Sequence, residues 1–455
     1  MITEPIPKTA WLFLSIALLT IVEAFIDMSW PAPATAALIV LFIAVEFKHI
    51  PRSQKIVGAI LAGIGLAGAA ASGQWQTIVP DAIARSRSFL LLFFAVSWLQ
   101  FPVGRSPSFR AVRTALLNQP PGRRFLFLSC GVHCLGAVLN LAGLSLLSTV
   151  AREQKDIHLR RRLVMALVQG FTSASCWSPF YVSMIVVLVA IPTLKWRDVA
   201  PAGAILGAAI IMTGWLYDRY AIRQDHASIQ KPTESVLSPL KILRAAIILS
   251  LLITSVMAVI ASAGVSIPVA LGLIGPPFAA AWIAAIDFRS GAAVGRAADL
   301  AGKVVGSLPS LRNETLVFVA ANILGLGVAS AVPAADLGST INQIIPWADG
   351  RILMLFATFV ACGFMGLHPV ILVLFIGSVL PPEALGLRDW IVGAVYLGCW
   401  GLCTLISPFS GTTLFMSHQA GVPGYVIAWQ WVSRSTLLQA VALFLIVVII
   451  RHATL

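Results

Sequence analysis

Charge is what this 455-residue sequence has least of: Asp, Glu, Lys and Arg together make up 11% of it, and only 18 residues are acidic. A water-soluble chain carries roughly a quarter of its residues charged. With 58% apolar residues and a mean hydropathy of +0.91, no soluble fold could bury the apolar surface. Other absences narrow the field. There is no phosphate-cradling Gly loop, no pair of catalytic carboxylates and no nucleophile-base constellation, so neither a soluble nor an intramembrane enzyme is expected. The six cysteines, Cys130, Cys134, Cys176, Cys362, Cys399 and Cys403, all lie inside apolar runs and act there as small packing residues. Cys130, His133 and Cys134 suggest a soft-metal cluster, but a single triplet without a second half-site reads better as packing. No metal and no cofactor is expected.

What is present is a series of segments able to cross about 30 Å of hydrocarbon. Candidate spans are residues 9–29, 34–47, 56–73, 88–103, 124–150, 163–192, 200–217, 243–263, 267–286, 314–333, 351–381, 390–418 and 434–450. The first is read as a retained helix, because no small-residue cleavage site clearly follows it before Trp30-Pro31. The net charge of +13 comes from basic residues that punctuate short loops, the bias of cytoplasmic loops and not the long run of a nucleic-acid binder. Trp11, Trp30, Trp215, Trp282, Trp347 and Trp390 fall near span ends as interfacial anchors.

Charge also sets the topology. Arg105, Arg110, Arg113, Arg123 and Arg124 precede 124–150, and Arg152, Lys155, Arg160, Arg161 and Arg162 follow it. Both ends call for the cytoplasm, so this stretch is expected to be a re-entrant hairpin or a tightly packed helix pair, tolerable where protein or a wet cavity shields its backbone. Loops 48–55, 219–244 and 288–312 then lie inside with the N-terminus, and 74–87, 193–199 and 334–350 outside. That places 24 of the 31 Lys and Arg inside and 7 outside. Residues 104–123 and 288–311 read as amphipathic arms along the inner surface.

The chain also says nearly the same thing twice. Ser178-Pro179-Phe180 recurs 229 residues later as Ser407-Pro408-Phe409, Phe89 matches Phe318 at the same offset, and Leu139-Asn140 matches Leu367-His368 at 228. Five crossings separate Phe89 from Phe318. An odd number inverts the second copy, and by that symmetry 351–381 is expected to be a second hairpin, entering from outside. The expected organisation is an all-α membrane protein of about 11 transmembrane helices plus two re-entrant hairpins: N-terminal helices in 1–85, repeat one in 86–240, connecting helices and arm in 241–312, and repeat two in 313–455.

Proline in a membrane helix frees backbone groups, and the two Ser-Pro sites sit in 163–192 and 390–418 among hydroxyls. Thr172, Ser173, Ser175 and Ser178 surround the first, and Thr404, Ser407, Ser410, Thr412 and Thr413 the second. Half-helix amino ends attract anions, while unwound carbonyls suit Na⁺. At the hairpin tips Asn140, with Ser145 shortly after, offers donor and acceptor groups, and His368 could orient a substrate oxygen or carry a proton. The candidate substrate contacts are therefore Asn140, Ser145, Ser175, Ser178, His368, Ser407, Ser410, Thr412 and Thr413, with Na⁺ conceivable near Asn140, Ser178 and Ser407. Glu23, Asp27, Glu46, Asp287 and Glu314 lie near span ends, and no carboxylate falls within the hairpins or broken segments. An anionic or neutral substrate suits such a site better than a cation.

Two inverted repeats, each with a hairpin followed by a Pro-interrupted helix rich in Ser and Thr, resemble the ion transporter superfamily over residues 86–450. Its members include the divalent anion and sodium symporters, the arsenite and citrate permeases, and the membrane subunits of tripartite carboxylate transporters. Asn140 corresponds to the Asn of the first hairpin-tip Ser-Asn-Thr motif of the symporters, here flanked by leucines, and Leu367-His368-Pro369 replaces the second motif. The resemblance implies a permease of a bacterial inner membrane. It would move a small carboxylate or oxyanion by an elevator mechanism, coupled to Na⁺ or H⁺, often as a homodimer, with the lipid bilayer and the anion as its partners and no nucleic acid. The alternative reading is a membrane component of an envelope or polysaccharide assembly or export system built on the same fold.

Overall fold

The computed structural model describes residues 6–26, 30–222, 239–286, 288 and 293–454. Asp27 and Asp287, singled out above, lie outside the described residues. Within them the chain is helical and without strands: α1 Lys8–Glu23, α2 Pro31–Glu46, α3 Arg52–Ala71, α4 Trp75–Arg105, α5 Pro107–Leu117, α6 Pro121–Leu139, α7 Leu141–Glu153, α8 Ile157–Ala174, α9 Val182–Ala190 and α10 Trp196–Tyr217. The remainder comprises α11 Pro239–Ala263, α12 Ile267–Ile286, α13 Ala293–Ser307, α14 Arg312–Ala331, α15 Ala334–Ile344, α16 Ala348–Phe364, α17 Pro369–Val379, α18 Asp389–Ile406, α19 Gly411–Ala420 and α20 Ser433–Ala453.

Proline writes much of this punctuation. It opens α2, α5, α6, α11 and α17, where its missing amide and fixed φ cost nothing. Among the described residues nine helical stretches are long and apolar enough to cross a membrane, or ten if α15 and α16, which meet at 107°, count as one broken span. The chain is a multi-pass membrane protein. The count falls below the expected 11 because α1 is only 16 residues long and because 163–192 is divided into two shorter helices.

Two units divide the described chain, with boundaries running through α11, α15 and α17. The first comprises residues 1–105, 249–337 and 374–380. In it α3 crosses α14 at backbone contact, since a Cβ at Gly65 would overlap the Ile323 carbonyl and one at Gly327 would overlap that of Gly65. Polar groups here are paired locally: Arg87 meets Glu23 at 2.8 Å, buried Glu46 has His49 at 3.2 Å and Arg312 at 3.6 Å, and the Asn322 amide donates to Ser86 Oγ at 3.1 Å.

The second unit comprises residues 106–248, 338–373 and 381–455, and it contains every candidate site residue. At one end Arg162 grips buried Asp218 with two bonds of 2.7 and 2.8 Å, tying the start of α8 to the end of α10. This bidentate geometry is the strong form of the pair.

Candidate functional site

The helix begun by α8 stops at Ala174 and resumes at Val182, so Ser175–Tyr181 is an irregular stretch centred on Ser178-Pro179. Its freed groups are satisfied nearby. Ser175 Oγ donates to the Thr172 carbonyl at 2.6 Å, and Ser183 Oγ donates to the Ser175 carbonyl at 2.6 Å. Ser178 Oγ donates to the Ala137 carbonyl of α6 and accepts from the Phe180 amide at 3.2 Å. Burial leaves such groups little choice, because an unpaired one costs about 1–3 kcal/mol.

The second interruption, Ser407–Ser410, separates α18 from α19. Ser410 is the N-cap of α19: its hydroxyl donates to the Thr404 carbonyl at 2.7 Å and accepts from the Thr413 amide at 3.1 Å, with the Thr413 hydroxyl 2.9 Å away. Ser407 Oγ accepts from the Phe409 amide at 3.4 Å. Thr412 is buried, and among the described residues its hydroxyl meets no hydrogen-bond partner.

Each break is accompanied by a helix running beside it in the same direction. Along α6, Ser129 Oγ donates to Ala166 O at 3.0 Å, His133 meets Ser173 at 2.7 Å, and Ala137 meets Ser178. Along α16, the Phe359 carbonyl accepts from Cys403 Sγ at 2.9 Å, Gly363 lies against Cys403 and Ile406, and Gly366 against Phe409.

Beyond α6 the chain reverses at Asn140 and α7 packs back, so closely that a Cβ at Gly143 would sit 2.6 Å from the Leu135 carbonyl carbon. Asn140 has φ 53° and ψ −134°, the one positive φ outside glycine among the described residues. Such backbone costs of order 1–3 kcal/mol and concentrates at functional positions. Its side chain makes no cap bond to α7. Ser145 lies on the exposed face of α7 with Leu141, apart from the buried hydroxyl networks. His368 precedes α17 and caps it: Nδ1 accepts from the Val370 amide at 3.2 Å, which leaves the ring proton on Nε2, and the ring stands edge-on to Trp400 at 6.0 Å.

Where these parts meet is set by helix crossings inside this unit. α8 and α18 run in opposite directions, with Cys176 Sγ 3.7 Å from the Leu397 carbonyl, while a Cβ at Gly401 would stand 3.5 Å from the Thr172 carbonyl oxygen. α19 packs on α7 and α8. Arg160, just inside α8, donates to the Ala420 carbonyl at 3.2 Å, so α7 and α19 both end toward the start of α8. Both therefore begin, at Asn140 and Ser410, toward the breaks. The first amides of a helix have no intrahelical acceptor and carry partial positive charge.

Sequence reasoning missed one network. Trp177 Nε1 donates to His133 Nε2 at 3.1 Å, so His133 carries its proton on Nδ1, donating it to Ser173 Oγ at 2.7 Å, which donates in turn to the Gly170 carbonyl at 2.7 Å. His133 thus braces α6 against α8, and its one lone pair is taken by an indole. Among the described residues no group of three or more His, Cys, Asp or Glu could hold a metal ion. The interval of four residues from His133 to the Ala137 position opposite Ser178 was the available signal, but which helix it faced was not.

No family model and no curated protein sequence matches the chain. Its fold does match a solved one. The crystal structure of the Alcanivorax borkumensis YdaH transporter, described as having an unusual topology, aligns with a TM-score of 0.51 over 98% of this chain and 99% of that one, at 13% identity. The chain has the fold of a membrane transporter.

Proposed function

We propose that this protein is a secondary active transporter of a bacterial inner membrane, with its N-terminus in the cytoplasm, moving a small carboxylate or oxyanion. The observation that carries the reading is the paired starts of α7 and α19, which run side by side from the prolyl breaks. Donors without a partner among the described residues accompany them: the Asn140 side-chain amide, the Thr412 hydroxyl and the Nε2–H of His368. No Asp or Glu occurs in 124–150, 163–192, 351–381 or 390–418 to compete with an incoming anion. Most of the other candidate hydroxyls already donate to carbonyls, so in this reading Ser175, Ser178, Ser410 and Thr413 shape the breaks, and Asn140, Thr412 and His368 meet substrate. Na⁺ or H⁺ would supply the coupling, and the fold of a solved transporter favours transport over catalysis.

Support for inverted repeats comes from three contacts, each joining residue i to residue i+229. Phe89 stacks on Phe318 with ring centroids 4.6 Å apart in the first unit. In the second, Thr172 abuts Gly401 and Gln439 Nε2 donates to the Ile210 carbonyl at 3.0 Å. A residue can touch its own duplicate only where a two-fold axis passes between them. The helices concerned cross in opposite directions, as Ser86–Asn322 beside Phe89–Phe318 indicates, which suits an axis across the helices, in the membrane plane. An elevator-type movement, with 124–150 and 351–381 as re-entrant hairpins, is the mechanism this symmetry suggests.

The test is a thermal-shift screen of purified protein against carboxylates, oxyanions and Na⁺. A ligand present at a hundred times its Kd stabilises the folded state by about 2.7 kcal/mol. At least one anion is expected to raise Tm and to enter proteoliposomes, and the Asn140→Ala, Thr412→Val double variant is expected to lose that uptake. Uptake that survives unchanged in the double variant would sink the assignment of this site. A stabilising anion that does not cross a proteoliposome membrane under any Na⁺ or H⁺ gradient would sink the transport reading.

A further inference from the structure

We infer that Arg351 forms a second oxyanion-binding site, receiving a phosphate, sulfate or carboxylate group on the Nε–Nη2 edge of its guanidinium. Arg351 lies in the first turn of α16 and is only 9% exposed. A guanidinium stays charged when buried, and such groups are ordinarily matched by a carboxylate. This one is not. Its recorded partner is the neutral Asn342 side chain, whose Oδ1 accepts from Nη1. Asp349, two residues before it, holds Arg451 at 2.7 Å and His452 at 2.9 Å.

The manner of pairing selects the ligand. Asn342 occupies Nη1, while Nε is buried with no partner. Nε and Nη2 present two parallel N–H groups, the fork that fits two oxygens of one oxyanion. Asn342 is held by its own amide, which donates to the Ala384 carbonyl at 3.3 Å, and Gly386, at φ 58°, turns its bare Cα toward the guanidinium, where a Cβ would come within 3.3 Å of Nη1. The amino end of α16 adds partial positive charge.

The position also indicates where the anion could come from. Arg351 follows the 107° elbow between α15 and α16, and Trp347 at that elbow is 64% exposed. Exposed Trp beside a buried cation suits the headgroup level of a bilayer, so the anion is either the phosphate of a lipid headgroup or a soluble oxyanion. The inference is independent of the transport reading, since Arg351 is not among the groups at the paired helix starts.

Full-length protein in neutral detergent tests it by thermal unfolding in two arms: sodium sulfate and sodium phosphate against sodium chloride at equal ionic strength, and phosphatidylglycerol against phosphatidylcholine in mixed micelles. Wild type should show a saturable rise in Tm in at least one arm, the arm that responds naming the source. Arg351→Gln should abolish it, and Arg351→Lys, which keeps the charge and loses the fork, should weaken the apparent affinity about tenfold. Asn140→Ala should leave it intact. The inference is overturned if wild type responds in neither arm, if Arg351→Gln responds like wild type, or if Asn140→Ala removes the response. If Arg351→Gln does not fold, an undiminished affinity in Arg351→Lys overturns it instead.

Discussion

Asn140 carries two loads that substitution can separate. Its backbone sits where glycine is at ease and other residues are strained, and its side-chain amide makes no cap bond at the start of α7. Asn140→Gly should leave Tm unchanged or raise it, whereas Asn140→Ala should lower stability by about 1 kcal/mol. Both should lose the anion response at the paired helix starts. A denaturation series read beside the ligand screen checks this, and retention of ligand binding in the glycine variant would show that the turn, and not the amide, is what matters. Glycine would have been the easier residue for this turn, so the asparagine points to a use for its side chain.

Helices in the second unit approach at backbone distance, and small residues make that possible. α10 passes the first break so closely that a Cβ on Gly203 would overlap the Cys176 carbonyl, with Trp177 Cα 3.2 Å away. The Trp196 indole, in the same helix, donates to the Trp177 carbonyl at 2.8 Å. Gly203→Ala must therefore push α10 off the break or deform it. Expected is a loss of about 1–3 kcal/mol, the range of overpacked cores, visible as a lower Tm. Gly63→Ala, where nothing lies within 4 Å, should by contrast be neutral or slightly stabilising through helix propensity. Equal behaviour of the two variants would count against the close packing of α10 on Ser175–Tyr181.

At the scale of the whole molecule the duplication makes a topological prediction. Lys155 and Ala384 are 229 apart, and Glu383 beside the latter is exposed, as is Lys155. In inverted repeats these positions face opposite sides of the membrane. With Cys130 and Cys134, both exposed, replaced by Ser, a cysteine at Lys155 should react with an impermeant maleimide only from the cytoplasmic side, and one at Glu383 only from outside. Labelling of both from one side would remove the in-plane axis, and with it the reason for pairing the two breaks.

The amino-acid sequence by itself determined that this chain lives in a membrane, because apolar surface on this scale has no other stable solvent. It also placed the breaks at Ser178-Pro179 and Ser407-Pro408, because proline's missing donor acts locally and needs no partner. The number of uninterrupted crossings was less legible, since hydropathy does not register that α1 stops after 16 residues. Only the tertiary structure decided which polar groups remain free. Ser175, Ser178 and Ser410 looked equivalent to Thr412 along the chain, yet the first three meet carbonyls and the last does not. Likewise the sequence offered His133 as packing, while the fold set an indole and a serine on it and left Arg351 buried against the neutral Asn342. Hydrogen-bond satisfaction depends on neighbours tens or hundreds of residues away, and that information exists only once the helices have packed.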